Sequence, residues 1–263
     1  MRKNDLLDCI KLAKSWELKT HVTSNGQIIN KKIAEELVLS GLNYLQISLD
    51  GFKEKTNDAI RGKGTYKKAI KSIKEIKLAK EKLNSDLKLS LTTVVTDENI
   101  DELLDIVKVA EDFGLNEVSF NPYNLDTSYM KDKNYENSEF WVKGKNIEKL
   151  KQVCNELIQI KKNKGIVGSS FFMLRTMPEY FEKKSKFRKG ICLAGFSYIY
   201  IKPNGDVDVC GKGPSLNVRN KSIRSIWYSL NFAKTRLKIA KCNRPCLMLC
   251  FPRIFFHDYS RLI

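Results

Sequence analysis

Tyr44-Leu45-Gln46-Ile47-Ser48-Leu49-Asp50-Gly51 reads as a strand, Tyr44 to Leu49, that breaks into a turn at Asp50-Gly51. The flanking sequence makes it one unit of a series. Upstream, Lys31 to Ser40 has helical spacing and stops at Gly41, a good helix C-terminal signal. Before that, Leu18 to Thr23 reads as a short strand, Ser24-Asn25-Gly26 as its turn, and Asp5 to Trp16 as an amphipathic helix. Downstream, Tyr66 to Leu83 is a Lys-rich helix and Leu87 to Val95 a β-branched, apolar strand. Ile100 to Phe113 is a helix closed by Gly114, and Glu117 to Phe120 a further strand. Strands alternating with helices over short connections imply a parallel sheet with right-handed crossovers, an α/β fold.

Regularity stops at Asn121 and resumes at Ile147 with a helix to Lys164. The intervening stretch is polar and aromatic (Tyr123, Tyr129, Tyr135, Phe140, Trp141), a composition suited to a lid or simply to packing. After Gly190 the character changes. Phe196 to Ile201 alternates, Pro203-Asn204-Gly205-Asp206 is a hairpin turn, Val207 to Cys210 returns, and Ser222 to Ile239 reads as a helix. We therefore expect two domains, 1–185 and 186–263.

The 263 residues suffice for one large α/β domain with a small appendage. With 42% hydrophobic and 29% charged residues, the chain is neither disordered nor low-complexity. No apolar run reaches the ~18 residues that span a bilayer, and the N-terminus lacks a signal-peptide core. A cytoplasmic protein is expected. The net charge of +17 raises nucleic acid as a partner. Yet 37 of the 47 basic residues are lysines, spread over helix faces rather than gathered into one tract. Solvated helices account for that charge without nucleic acid.

There are seven cysteines, an odd number that argues against a disulfide framework. Five of them form Cys192-x17-Cys210-x31-Cys242-x3-Cys246-x3-Cys250. A hairpin between the first two carries both thiols to one end of a ribbon, and a helix returns the chain with three more. Converging thiolates suit an iron–sulfur cluster or tetrahedral zinc, and about four ligands leave one cysteine spare. Cys9 and Cys154, single thiols on helices, read as core residues. His21 and His257 have no ligand-like spacing, and Asp206 and Asp208 read as turn or solvent residues.

Three segments, Thr23-Ser24-Asn25-Gly26, Ile47-Ser48-Leu49-Asp50-Gly51 and Ala59-Ile60-Arg61-Gly62, resemble the barrel motifs of radical SAM enzymes. Cys192-Leu193-Ala194-Gly195, Ile201-Lys202-Pro203-Asn204-Gly205-Asp206-Val207, Asn217-Val218-Arg219, Ser222 to Trp227 and the closing cysteines resemble that family's SPASM or twitch extension. The resemblance implies a (β/α)6 partial barrel plus a small cluster domain. It implies S-adenosylmethionine over the strand C-termini, with Asn25, Gly26, Ser48, Asp50 and Arg61 near it. By resemblance Ser48 sits at a ribose-contacting strand end, and Arg61 matches an arginine near the cofactor's carboxylate. It also implies one C-terminal 4Fe-4S cluster on Cys192, Cys210, Cys242, Cys246 and Cys250. The substrate would be a peptide or small molecule, served by an electron donor.

The family's Cys-x3-Cys-x2-Cys loop is not in the sequence; Cys242-x3-Cys246-x3-Cys250 is one residue too long and stands at the other end. The first strands of the barrel are thus expected to be absent, about 80–100 residues by βαβ unit size. An upstream-encoded N-terminal segment would supply them, and the chain alone would not cleave S-adenosylmethionine. The alternatives are a degenerate, non-catalytic iron–sulfur protein, or a zinc-stabilised module for a partner or nucleic acid.

Overall fold

In the computed structural model, residues 3–123, 138–182, 194–210, 213, 216–241 and 247 are described, and four parallel strands stand in the order β1-β2-β3-β4. They are β1 (His21–Ser24), β2 (Tyr44–Ser48), β3 (Lys88–Val95) and β4 (Glu117–Pro122). Between and around them run α1 (Lys3–Ser15), α2 (Lys31–Leu39), α3 (Glu54–Arg61), α4 (Thr65–Lys82) and α5 (Leu103–Asp112). Two further helices, α6 (Lys145–Lys164) and α7 (Phe171–Phe181), complete this unit. Strand–helix alternation implied the α/β class and the resemblance a partial barrel, and the parallel sheet agrees with both.

Because side chains alternate along a strand, each strand offers one residue set to each face of the sheet. Leu45, Ile47, Leu89, Leu91, Val118 and Phe120 are on one face, all fully buried. Helix α4 packs on β2, and α5 on β3 and β4. Their inward residues Ile73, Ile76, Ile106 and Ala110 are inaccessible to solvent. Burying an aliphatic side chain of this size contributes roughly 1.5–3 kcal/mol, so this layer is the main source of stability in the unit. Outward lysines pair at the surface, Lys67 with Glu54, Lys82 with Glu35 and Lys164 with Glu111. Such exposed pairs contribute about 0–1 kcal/mol each.

The second unit, described from 194 to 247, has its own core of Ala194, Val207, Val209, Ile226, Phe232 and Ile239. It consists of an antiparallel sheet, β5 (Tyr200–Ile201), β6 (Asp206–Asp208) and β7 (Leu216–Asn217), with helices α8 (Ile223–Trp227) and α9 (Leu230–Ala240).

Some elements depart from the expectation. The single helix read from Ser222 to Ile239 is two, because the Ser229 hydroxyl accepts from the Phe232 amide and starts α9 afresh. Helices α3 and α7 were not expected; α7 carries Pro178 inside it. Trp141 is core: its indole N–H donates to the Phe181 carbonyl (3.3 Å), and its ring packs on Tyr180 and Phe181. Cys9, expected in the core, is exposed, whereas Cys154 is buried as expected. Cys9 lies one residue before the buried Ile10 and so on a different side of α1. Asp208, expected in a turn or at solvent, lies on β6 and is buried.

Candidate functional site

The turn after β2 is held by side chains from three elements. The Asp50 carboxylate is 2% exposed; one oxygen accepts from the Val94 amide (2.7 Å) and the other pairs with Arg61 Nε (2.6 Å). The Asp50 amide donates to Asn57 Oδ1 (2.9 Å), and Asn99 Nδ2 donates to the carbonyls of Asp50 (2.7 Å) and Val94 (2.8 Å). Glu102 accepts from the Lys53 amide and the Thr56 hydroxyl, which fixes the start of α3. Gly51 is required here: a Cβ on it would lie 2.4 Å from the Asn57 nitrogen. Burial pushes the Asp50 carboxyl above the ordinary carboxylate value, and the Arg61 charge and Val94 amide pull against it. Arg61 is thus brought to the end of β2 by α3 and oriented by Asp50.

The other face of the sheet is polar. Register places Thr23 beside Gln46, Gln46 beside Ser90, and Ser90 beside Glu117. One layer further toward the C-terminal ends, Ser48, Thr92 and Ser119 stand in a row, and Asn121 follows on β4. Gln46, Ser48, Ser90, Thr92 and Ser119 are all buried. A buried polar face is costly unless its groups find partners. Asn121 Nδ2 donates to the Thr92 hydroxyl (2.9 Å), but Asn121 Oδ1 is buried with no partner. Among the described residues the Ser48 hydroxyl also makes no hydrogen bond. The strand C-terminal edge therefore holds a buried oxygen, Asn121 Oδ1, and a hydroxyl, that of Ser48, without partners among the described residues, as expected of a surface that receives a hydrogen-bonding ligand.

Asn25 and Gly26 lie beyond β1 at the same edge. Asn25 is exposed, and its side-chain oxygen accepts from the Gln27 amide (3.1 Å). Gly26 has φ +72° and packs against α4, where a Cβ would meet the Ser72 hydroxyl at 2.5 Å. Both residues serve the turn. His21 lies on the edge strand, ring to ring with Tyr44.

In the second unit Cys210 follows β6, exposed and in the left-handed region at φ +53°. Arg236 binds this unit together. It donates to the carbonyls of Gly195 (2.7 Å) and Trp227 (2.9 Å), and its guanidinium lies over the rings of Phe232, Trp227 and Phe196. Gly195 also abuts Ile239 and Val209. The residues next to Cys192, Cys210 and Cys242 in sequence thus meet in one core. Cys192, Cys242, Cys246 and Cys250 themselves lie outside the described residues, as do Tyr129, Tyr135 and His257. The donor set of five thiols is soft and acid-forming, which suits iron–sulfur or zinc and not a hard cation.

Two family models match this chain: the radical SAM superfamily over residues 1–110, and SPASM, an iron–sulfur cluster-binding domain, over residues 192–251. Residues 1–110 belong to the radical SAM superfamily and residues 192–251 to the SPASM domain family. Among curated proteins it is 26% identical to the mycofactocin maturase MftC of Mycolicibacterium smegmatis over 79% of this chain and 49% of that protein. It is 23% identical to the AdoMet-dependent heme synthase of Methanosarcina barkeri, over 86% of this chain and 65% of that protein. The chain therefore spans about half to two thirds of the length of these relatives. Among solved structures, SuiB of Streptococcus suis bound to its precursor peptide SuiA superposes with a TM-score of 0.63. It shares 18% identity and covers 88% of this chain and 53% of that one. This likeness concerns the fold.

Apart from Ser48, the sequence reading missed the polar face of this radical SAM sheet. Gln46, Ser48, Ser90, Thr92, Ser119 and Asn121 alternate with apolar residues in strands otherwise read as buried and apolar. That period of two was the available signal.

Proposed function

We propose that this chain is the S-adenosylmethionine-holding and cluster-binding part of a radical SAM protein that modifies a peptide. In this reading 1–185 is the partial barrel and 186–263 the iron–sulfur domain, and the protein works in the cytoplasm. The observation that carries it is the buried polar face at the strand C-termini, where Ser48, within the stretch that matches the radical SAM model, makes no hydrogen bond among the described residues, and Asn121 Oδ1 on β4 is buried without one. When bound, S-adenosylmethionine supplies a sulfonium bond whose reductive cleavage starts radical chemistry on a substrate.

The chain's own residues bind and orient. Ser48 offers a hydroxyl to a ribose. Arg61, held at Nε by Asp50, presents the rest of its guanidinium to a carboxylate. Asp50 thus acts through Arg61, and Asn25 and Gly26 shape the neighbouring turn. Cys192, Cys210, Cys242, Cys246 and Cys250 supply the sulfur ligands of one 4Fe-4S cluster, one cysteine being spare. The sequence holds no Cys-x3-Cys-x2-Cys, so by itself the chain binds the cofactor without cleaving it, and an electron donor and further protein complete the reaction. A peptide is favoured as substrate because SuiB, of like fold, is seen with its precursor peptide.

Calorimetric titration with S-adenosylhomocysteine tests the site. The chain is expected to bind it, and Ser48→Ala to weaken binding about 5- to 10-fold, the loss of one hydrogen bond. No binding by the unaltered chain overturns the reading.

A further inference from the structure

The ribbon that ends in Cys210 carries a second feature, distinct from its ligand role. Tyr200 pairs with Asp208 and Ile201 with Val207, so the same antiparallel register places Tyr198 opposite Cys210. The Tyr198 hydroxyl lies 3.4 Å from Cys210 Sγ. Its ring is packed against the core formed by Ala194, Val207, Val209, Ile226, Phe232 and Ile239, so the hydroxyl is held by more than its own bond.

The strand that leads to Cys210 is held as well. Buried Asp208 pairs with Lys202 Nζ (3.0 Å) and accepts from the Gly213 amide (3.0 Å). Gly213 presses so closely that a Cβ on it would lie 2.6 Å from the Val207 carbonyl oxygen. Gly213 is thereby held against β6, and Cys210 itself has its backbone in the left-handed region. Phenol and thiol meet because the ribbon's register sets their residues opposite each other.

We propose that the Tyr198 hydroxyl is a tuning residue: it donates a hydrogen bond to the Cys210 thiolate and raises the reduction potential of the cluster that this thiolate binds. The proposal rests on the cluster reading given above. A metal-bound thiolate has no proton, so in that pair the phenol is the donor. A hydrogen bond to a ligand sulfur withdraws electron density from the cluster and favours its reduced, more negative state. Hydrogen bonds to sulfur are among the factors that set such potentials. Asp208 acts at one remove, as a positioning residue for the Cys210 turn.

The test uses the full chain, reconstituted anaerobically with iron and sulfide, in three forms: unaltered, Tyr198→Phe, and with 3-fluorotyrosine inserted at position 198. Potentiometric titration followed by EPR gives the midpoint potential. Tyr198→Phe removes the donor at nearly constant volume and is expected to shift the midpoint to more negative values. Fluorotyrosine is the stronger donor and is expected to shift it the other way. Iron content is expected to stay the same in all three. If the Phe variant does not load, the sign of the fluorotyrosine shift decides. Equal midpoints in loaded proteins, or a Phe shift without an opposite fluorotyrosine shift, overturn the tuning role and leave the cluster reading standing. Failure of the unaltered chain to take up iron overturns the cluster reading, and the tuning role with it.

Discussion

Replacing Arg61 with alanine leaves the Asp50 carboxylate, 2% exposed, with the Val94 amide but without its countercharge. Removing one partner of a buried ion pair costs about 3–5 kcal/mol. The Arg61 side chain is itself 23% exposed, so water entering the vacated space will solvate the carboxylate in part. The expected loss is therefore about 2–3 kcal/mol. Asp50→Asn is the contrasting change. It keeps an acceptor for the Val94 amide and leaves Arg61 beside solvent, so about 1 kcal/mol is expected.

The pH dependence follows from the direction of the Asp50 shift. Its folded-state value lies above the unfolded one, so burying the ionised form lowers stability at neutral pH. That cost is lifted as pH falls through the folded value. Without Arg61 the upward push grows, so the Arg61→Ala deficit is expected to shrink as pH falls from neutral toward the unfolded carboxylate value. Urea unfolding followed by Trp141 fluorescence, with Trp16 and Trp227 replaced by phenylalanine, reports on this unit. Equal losses for the two variants, or an Arg61→Ala deficit that ignores pH, would refute the reasoning.

Three further outcomes are expected. Gly51→Ala forces a Cβ against the Asn57 backbone and should lower stability by about 1–3 kcal/mol, seen as an earlier urea midpoint. Arg236→Ala removes two bonds to carbonyls and three ring contacts, a loss of about 3–4 kcal/mol in the second unit, with reduced iron uptake on reconstitution. In the metal-free chain at neutral pH, iodoacetamide should label the exposed Cys9 and Cys210 quickly. Cys154, buried and with its thiol pushed up to about 12, should stay unlabelled, as peptide mass mapping will show.

What could be read in the sequence followed hydrophobic period and helix stop signals. Strands β1 to β4 and helices α2, α4 and α5 were legible because each has a clear apolar set and a Gly or polar end. Helix α3, Glu-Lys-Thr-Asn-Asp-Ala-Ile-Arg, was not, because it has almost no apolar stripe and is held by Asn57 and Glu102 hydrogen bonds instead. Helix α7 was hidden by Pro178, and the break between α8 and α9 by a cap, Ser229, inside an unbroken helical pattern. At the site, the end of β2 was legible, but the bond between Asp50 and Arg61 was not. Two residues eleven apart in sequence meet only because α3 folds back over the turn. The proximity of Tyr198 and Cys210 likewise needs the hairpin register, which the turn at Asn204-Gly205 sets.

The most direct test of the account is the iron, sulfide and zinc content of the chain after anaerobic purification and reconstitution, with EPR of the reduced protein. The account expects about four iron and four sulfide per chain, with loss on Cys210→Ala. Zinc in place of iron would contradict it.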